Sequence, residues 1–211
     1  MSETKLIVIR HGETEWNRQG RIQGWLDSPL TPGGLAQAQA LAARLAQASP
    51  DAFYSSDLGR ARQTAEIITK DITLSVAYEK RLRECNLGIF QGLTWLEIGR
   101  EFAKELEAYK KDYPGFVIPE GESTRQRYER AVAIFGEIAQ RHPGETVAVV
   151  THGGILDSLF RHTLDIPLAA PRRWKLWNAG LNTFTFQDGR WTLVTWGDIR
   201  HLEGLPARDD F

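Results

Sequence analysis

Two apolar runs of about four residues, Leu6-Ile-Val-Ile9 and Val147-Ala-Val-Val150, lack alternation, the pattern of strands buried on both faces of a parallel sheet. Shorter runs at Ala52–Ser56 and Ile72–Val76 predict two further strands. Helical spacing lies between them. Leu35, Ala38, Leu41, Ala42 and Leu45 recur on one face after Thr31-Pro32, an N-cap followed by a first-turn proline. Arg60 to Lys70 carries Ala61, Ala65 and Ile68 on one side, and Ser123, with Gln126 at the capping-box position, opens a helix bearing Tyr128, Ala131, Ile134, Phe135 and Ile138. A helix beginning near Ile155 follows the Val147–Val150 strand, and another is expected near Trp95 to Lys110. Asp188-Gly189 between Thr183–Gln187 and Arg190–Thr195 is a type I′ hairpin signal.

Strands alternating with helices predict an α/β fold, three layers α/β/α around a mostly parallel sheet, with the C-terminal hairpin at its edge. The 211 residues form one expected domain, 1–211, without internal repeats or a long linker. Glycines and prolines cluster between 88 and 122, which predicts an excursion from the sheet that caps an active site.

Charge narrows the partners. Lys plus Arg number 26 and Asp plus Glu 27, a net charge of −1, so neither nucleic acid nor an anionic membrane is an expected partner. The opening Met1-Ser-Glu-Thr-Lys5 lacks a basic stretch followed by a long apolar one, and a cytoplasmic location is expected. Cys85 is the only cysteine, so no internal disulfide forms, and its neighbours Glu84 and Asn86 would not activate a thiolate.

The chemistry then falls to histidine, carboxylate and arginine. Arg10-His11-Gly12 follows the first strand and Thr151-His152-Gly153-Gly154 follows the strongest later one. Ligands of open α/β sheets bind beyond the carboxyl ends of strands, so both histidines point to the same place. Gly12 and Gly153 allow close backbone approach, and Arg10 adds a planar cation suited to phosphate. Arg60 and Arg62 stand at another strand-to-helix junction, where spacing alone leaves open a phosphate contact or a solvated helix face. The five histidines show no metal-binding spacing, and arginines beside them would repel a cation, so no metal is expected.

The stretch Arg10-His-Gly-Glu-Thr-Glu-Trp-Asn17 resembles the signature of the histidine phosphatase superfamily, the phosphoglycerate mutase-like clan. Gln23-Gly24, Asp27–Thr31, Ser55–Ala65, Leu82-Arg-Glu84, Gly121-Glu-Ser123 and Val150–Gly153 resemble the family's other blocks, in the family's order. The resemblance implies a phosphoglycerate mutase-like fold and a metal-independent phosphomonoesterase acting on a small phosphorylated metabolite. It implies that His11 is the nucleophile that becomes phosphohistidine, that His152 contacts the transferring group, and that Arg10 and Arg60 clamp phosphate. Asn17 matches a polar residue near the phosphate, Glu84 the acid that serves the leaving oxygen, and Gln23 and Gly24 the loop bordering the substrate.

Cofactor-dependent mutases of the family carry a longer, more basic segment after the acid, so the short stretch from Cys85 to Gly121 points to the phosphatase branch. A mutase is the alternative reading, and 2,3-bisphosphoglycerate is a cofactor only under it. A non-catalytic phospholigand-binding protein is the remote alternative, disfavoured because His11, His152 and Glu84 are all present. Among seven tryptophans, Trp25 and Trp95 fall where they could line an entrance, while most of the others suit core packing. Arg172–Trp177 reads as a solvated basic face, and the hairpin edge is one contact a homodimer could use.

Overall fold

The computed structural model describes residues 2–70 and 74–205. Six strands form one sheet in the order β3-β2-β4-β1-β5-β6, where β1 is Thr4–Arg10, β2 Ala52–Ser55, β3 Val76–Tyr78, β4 Thr146–Thr151, β5 Leu181–Gln187 and β6 Arg190–Asp198. The pairs β1–β4, β4–β2 and β2–β3 are parallel, while β5 joins β1 antiparallel and turns into β6 through the expected hairpin.

Strand alternation divides the core between two faces. Leu6, Val8, Val147 and Val149 face helices α6 (Thr124–Arg141) and α7 (Gly153–Thr163), meeting Ile134, Phe135, Ile138 and Leu159. Ile7, Ile9, Ala148 and Val150 face α2 (Pro32–Ala46) and α3 (Gly59–Thr69), meeting Leu41, Leu45, Ala65 and Ile68. The caps follow the sequence: Thr31 accepts from Gly34 N at 2.9 Å, and Ser123 and Gln126 form a reciprocal capping box.

Three elements differ from the sequence reading. The strand expected over Ile72–Val76 overlaps β3 only at Val76, because pairing with β2 puts Phe53 opposite Val76 and Ser55 opposite Tyr78; residues 71–73 lie outside the described set. The helix expected over Trp95–Lys110 is two, α4 (Trp95–Glu101) and α5 (Ala103–Lys111). Phe102 leaves helical geometry at φ −128° and ψ 43° between them, and its ring packs 6.3 Å from that of Phe90 in a satellite core with Ile98, Leu106 and Ile118. The helix expected near Ile155 begins two residues earlier, directly after His152.

A short helix, α1 (Glu15–Gln19), was not anticipated. Thr14 caps it, with Asn17 in the reciprocal position, and Gly20 ends it at φ 64°. Among the described residues, no helix is long and apolar enough to cross a membrane.

Candidate active site

Register builds the centre of the site. Arg10 pairs with Thr151 across β1 and β4, so the next residue of each strand, His11 and His152, emerges at the same edge. Their ring centroids are 5.2 Å apart. Neighbouring β2 pairs Ser55 with Val150, which brings Ser56 Oγ within 2.8 Å of His152 Nε2. His152 Nδ1 is buried without a hydrogen-bond partner among the described residues.

His11 donates from Nδ1 to its own neighbour's carbonyl, Gly12 O, at 2.8 Å. That bond selects the tautomer with a lone pair on Nε2. Arg60 Nε–H approaches the same Nε2 at 3.3 Å. Burial, first, and then the charges of Arg60 and Arg10 hold the His11 ring well below its usual pKa of 6.5, while the Gly12 bond opposes them. For His152, burial again leads, followed by Arg60. Both rings are therefore neutral imidazoles at neutral pH.

Arg60 is 2% exposed and so forms no solvated helix face. It donates through Nη1 to Leu26 O at 2.9 Å and Asp27 Oδ1 at 3.0 Å, and through Nη2 to Gly24 O at 2.8 Å. Asp27 also accepts from Gly59 N at 2.7 Å and Arg60 N at 3.2 Å, capping α3 from a residue 33 positions away because Leu58, at the N-cap itself, has no side-chain acceptor. Arg62, by contrast, is exposed and pairs with Glu66 at 2.9 Å, the surface role. Arg10 donates to Leu176 O, so Arg172–Trp177 is no plain solvated face: its buried Leu176 supplies the carbonyl that holds a site cation.

Glu84 reaches the site from the chain after β3. Its Oε1 accepts from Cys85 N at 2.8 Å and its Oε2 from Gly154 N at 2.9 Å, which fixes the carboxyl plane. Arg130 of α6 pins the same segment through the carbonyls of Arg81, Arg83 and Glu84. Cys85 is buried, and burial pushes its thiol up to about 12, so it offers no thiolate.

A cavity of about 670 Å³ opens over this constellation, lined by Arg10, His11, Asn17, Gln23, Gly24, Arg60 and Glu84. His152 stays fully buried and does not line it, and of the two glycines after that histidine Gly154, not Gly153, reaches the lining. Asn17 spends its side-chain oxygen on Thr14, leaving its amide NH₂ outside that cap, and Gln23 Oε1 is buried without a partner. Trp95 and Tyr109, stacked at 6.3 Å, bring the 88–122 segment to the cavity as an aromatic wall. Trp25, which the sequence placed at an entrance, is not among the lining residues: its Nε1–H donates to Glu84 O at 2.8 Å and its ring lies under the Arg83 guanidinium.

Sequence reading missed Asp27, Ser56 and Arg127 as members of this surround. Asp27 and Ser56 lay inside the recognised blocks, but only the fold shows what they hold. Among the described residues no group of three or more His, Cys, Asp or Glu could hold a metal ion.

The model of the histidine phosphatase superfamily, branch 1, matches residues 6–199. The chain belongs to that superfamily. This histidine phosphatase is 40% identical over 208 residues to the metal-independent phosphoserine phosphatase of Arabidopsis thaliana, covering 96% of this chain and 84% of the relative. It is 39% identical over 203 residues to phosphoglycerate mutase-like protein 4 of the same plant, covering 94% and 87%. Among solved structures, a phosphoserine phosphatase from Entamoeba histolytica, in complex with phosphoserine, superposes with a TM-score of 0.82 at 30% identity over 94% of this chain and 99% of that one. The histidine phosphatase described here is a phosphoric monoester hydrolase of the phosphoglycerate mutase-like fold.

Proposed function

We propose that the enzyme hydrolyses a small phosphate monoester in two steps through a phosphohistidine on His11, with Glu84 moving the proton and without metal or organic cofactor. The observation that carries this reading is His11 itself: a buried neutral ring, its Nδ1–H held by Gly12 O and its Nε2 lone pair at the cavity.

In the first step Nε2 attacks phosphorus in line and the ester P–O bond breaks. Glu84, with a proton on one carboxyl oxygen, gives it to the departing alkoxide. A water then enters, loses a proton to the same carboxyl and attacks the phosphohistidine, and the P–N bond breaks to release inorganic phosphate and free His11. The loose transition state spreads charge over three phosphoryl oxygens, and fixed cations stabilise it more than they stabilise the ester. Arg10 and Arg60 supply that charge and Asn17 Nδ2 a further donor, while His152, buried and set by Ser56, backs the His11 ring at 5.2 Å between centroids. The constellation therefore uses two permanent cations where other phosphatases use metal ions.

Support for hydrolysis over mutation comes from the phosphatase relatives and from the compact 85–121 segment. The test is phosphorus NMR of EDTA-treated protein given an aryl phosphate, 3-phosphoglycerate and catalytic 2,3-bisphosphoglycerate, beside His11→Asn. Inorganic phosphate that depends on His11 and survives EDTA supports the reading. Formation of 2-phosphoglycerate without comparable phosphate release would replace it by a mutase.

A further inference from the structure

Beyond the phosphate-facing groups, two buried arginines that the hydrolytic steps do not use line the cavity: Arg161, held by Asp157 and the carbonyls of Pro167 and Ala170, and Arg127, which keeps an unbonded N–H among the described residues. Arg127 comes from the first turns of α6, is 9% exposed, and lines the cavity beside Glu84. Its Nε donates to Ser158 Oγ at 3.3 Å, and Ser158 Oγ in turn donates to Gly154 O at 2.9 Å. Its Nη2 is buried with no hydrogen-bond partner among the described residues, and its nearest acid, Asp157, stands 3.9 Å away, beyond hydrogen-bond reach. Asp157 is already held by Arg161 Nε at 2.8 Å and Trp174 Nε1 at 3.1 Å.

An arginine N–H without an acceptor in a buried setting is costly unless a ligand supplies one. We infer that Arg127 is a specificity residue of this phosphatase, and that it receives a carboxylate on the leaving alcohol of the substrate. This inference rests on the proposed hydrolysis at His11 and names the class of ester.

Position and charge both select that class. A Cβ placed on Gly154 would overlap Glu84 Oε1 and stand 2.9 Å from Arg127 Nη1, so the guanidinium and the proton-transferring carboxyl flank one glycine. A group touching Arg127 is therefore close, along the substrate, to the oxygen that Glu84 serves. A carboxylate brings one negative charge and a planar pair of oxygens that matches a guanidinium edge.

Two matched pairs of esters test the inference: O-phosphoserine against O-phosphoethanolamine, and 3-phosphoglycerate against glycerol 3-phosphate. Each pair differs at the carboxylate. The wild-type enzyme should favour the carboxylate member of each pair in kcat/KM by about 10- to 100-fold, the scale of one charged hydrogen bond, and Arg127→Met should bring both ratios close to one. Arg127→Lys keeps the charge without the planar fork and should give intermediate ratios; it also serves if the methionine variant does not fold. Wild-type ratios near one, or ratios that persist in a folded Arg127 variant, would overturn the assignment while leaving the phosphatase reading intact. Failure of the wild type on every monoester, the aryl phosphate included, would overturn the phosphatase reading itself.

Discussion

Arg60 meets His11 with one N–H and places its guanidinium Nη bonds on the Gly24–Asp27 loop, so its orientation is set before substrate arrives. Preorganised charge of this kind is worth about 100- to 1000-fold in kcat, and Arg60→Ala should lose that much in steady-state turnover. Asp27→Ala should act through Arg60 and through the helix it caps. It should lower kcat less than Arg60→Ala does, and cost about 0.5–2 kcal/mol in urea unfolding, the worth of an N-cap. The pH behaviour is also written at this scale. Folding lowers the pKa of His11 and His152, so the folded state binds fewer protons than the unfolded one below the ordinary value near 6.5. Stability contributed by the two neutral rings is present above pH 6.5 and is lost as pH falls from there toward the depressed folded values. The nucleophile stays neutral over that same window. Denaturant midpoints should therefore fall between pH 6.5 and 5 while kcat/KM shows no histidine limb at 6.5; a limb centred on 6.5 would show that His11 titrates like a solvated ring.

Elements convert short sequence signals into this geometry. The blocks around His11 and His152 were legible because each is a strand end followed by glycine, and a parallel pairing of two buried strands leaves little choice about where the next residue emerges. Glu84 was legible only through family resemblance, since Arg81-Leu-Arg-Glu84 otherwise reads as an exposed charged stretch. What makes it a site residue is tertiary: backbone donors from Cys85 and Gly154 and the clasp of Arg130, residues as far as 70 positions away. The Phe102 break and the shift of β3 were hidden for the same reason, because packing against Phe90 and pairing with β2 override local periodicity. Gly154 is the point where the helix start must pass against Glu84. Gly154→Ala should push that carboxyl away and lower kcat at least about tenfold, the scale of a misplaced general acid, with far-ultraviolet circular dichroism unchanged. A kcat near wild type would mean that Glu84 needs no such placement. On the opposite face of the same helix pair, Phe135 is fully buried, and Phe135→Ala should cost about 3–5 kcal/mol in urea unfolding.

At the scale of the molecule, the sheet presents the nucleophile, and helices α6 and α7 bring the acid's backbone donor and Arg127. The 88–122 segment carries its own small core and lines the cavity with Trp95 and Tyr109. It is tied to the rim by Arg21, which bridges Gly92 O and Glu97 at 2.8 and 2.7 Å. Its glycines and prolines marked an excursion from the sheet but not which side chains it brings to the cavity. The part of the cavity lined by Arg10, His11 and Arg60 was thus readable as motifs, whereas the part lined by Arg127, Gly154 and Tyr109 is assembled from α6, α7 and the 88–122 segment, whose residues share no local pattern. With Arg10 and Arg60 in the role proposed for them, EDTA should leave kcat within about twofold of the untreated enzyme, well under the roughly tenfold worth of 1.4 kcal/mol in a barrier. The central claim is the covalent step at His11. Rapid quenching into alkali with a substrate labelled at phosphorus, followed by peptide mapping, should find acid-labile, alkali-stable label on the peptide that contains His11 and none in His11→Asn. Label on another peptide, or turnover that persists in His11→Asn, would contradict the mechanism.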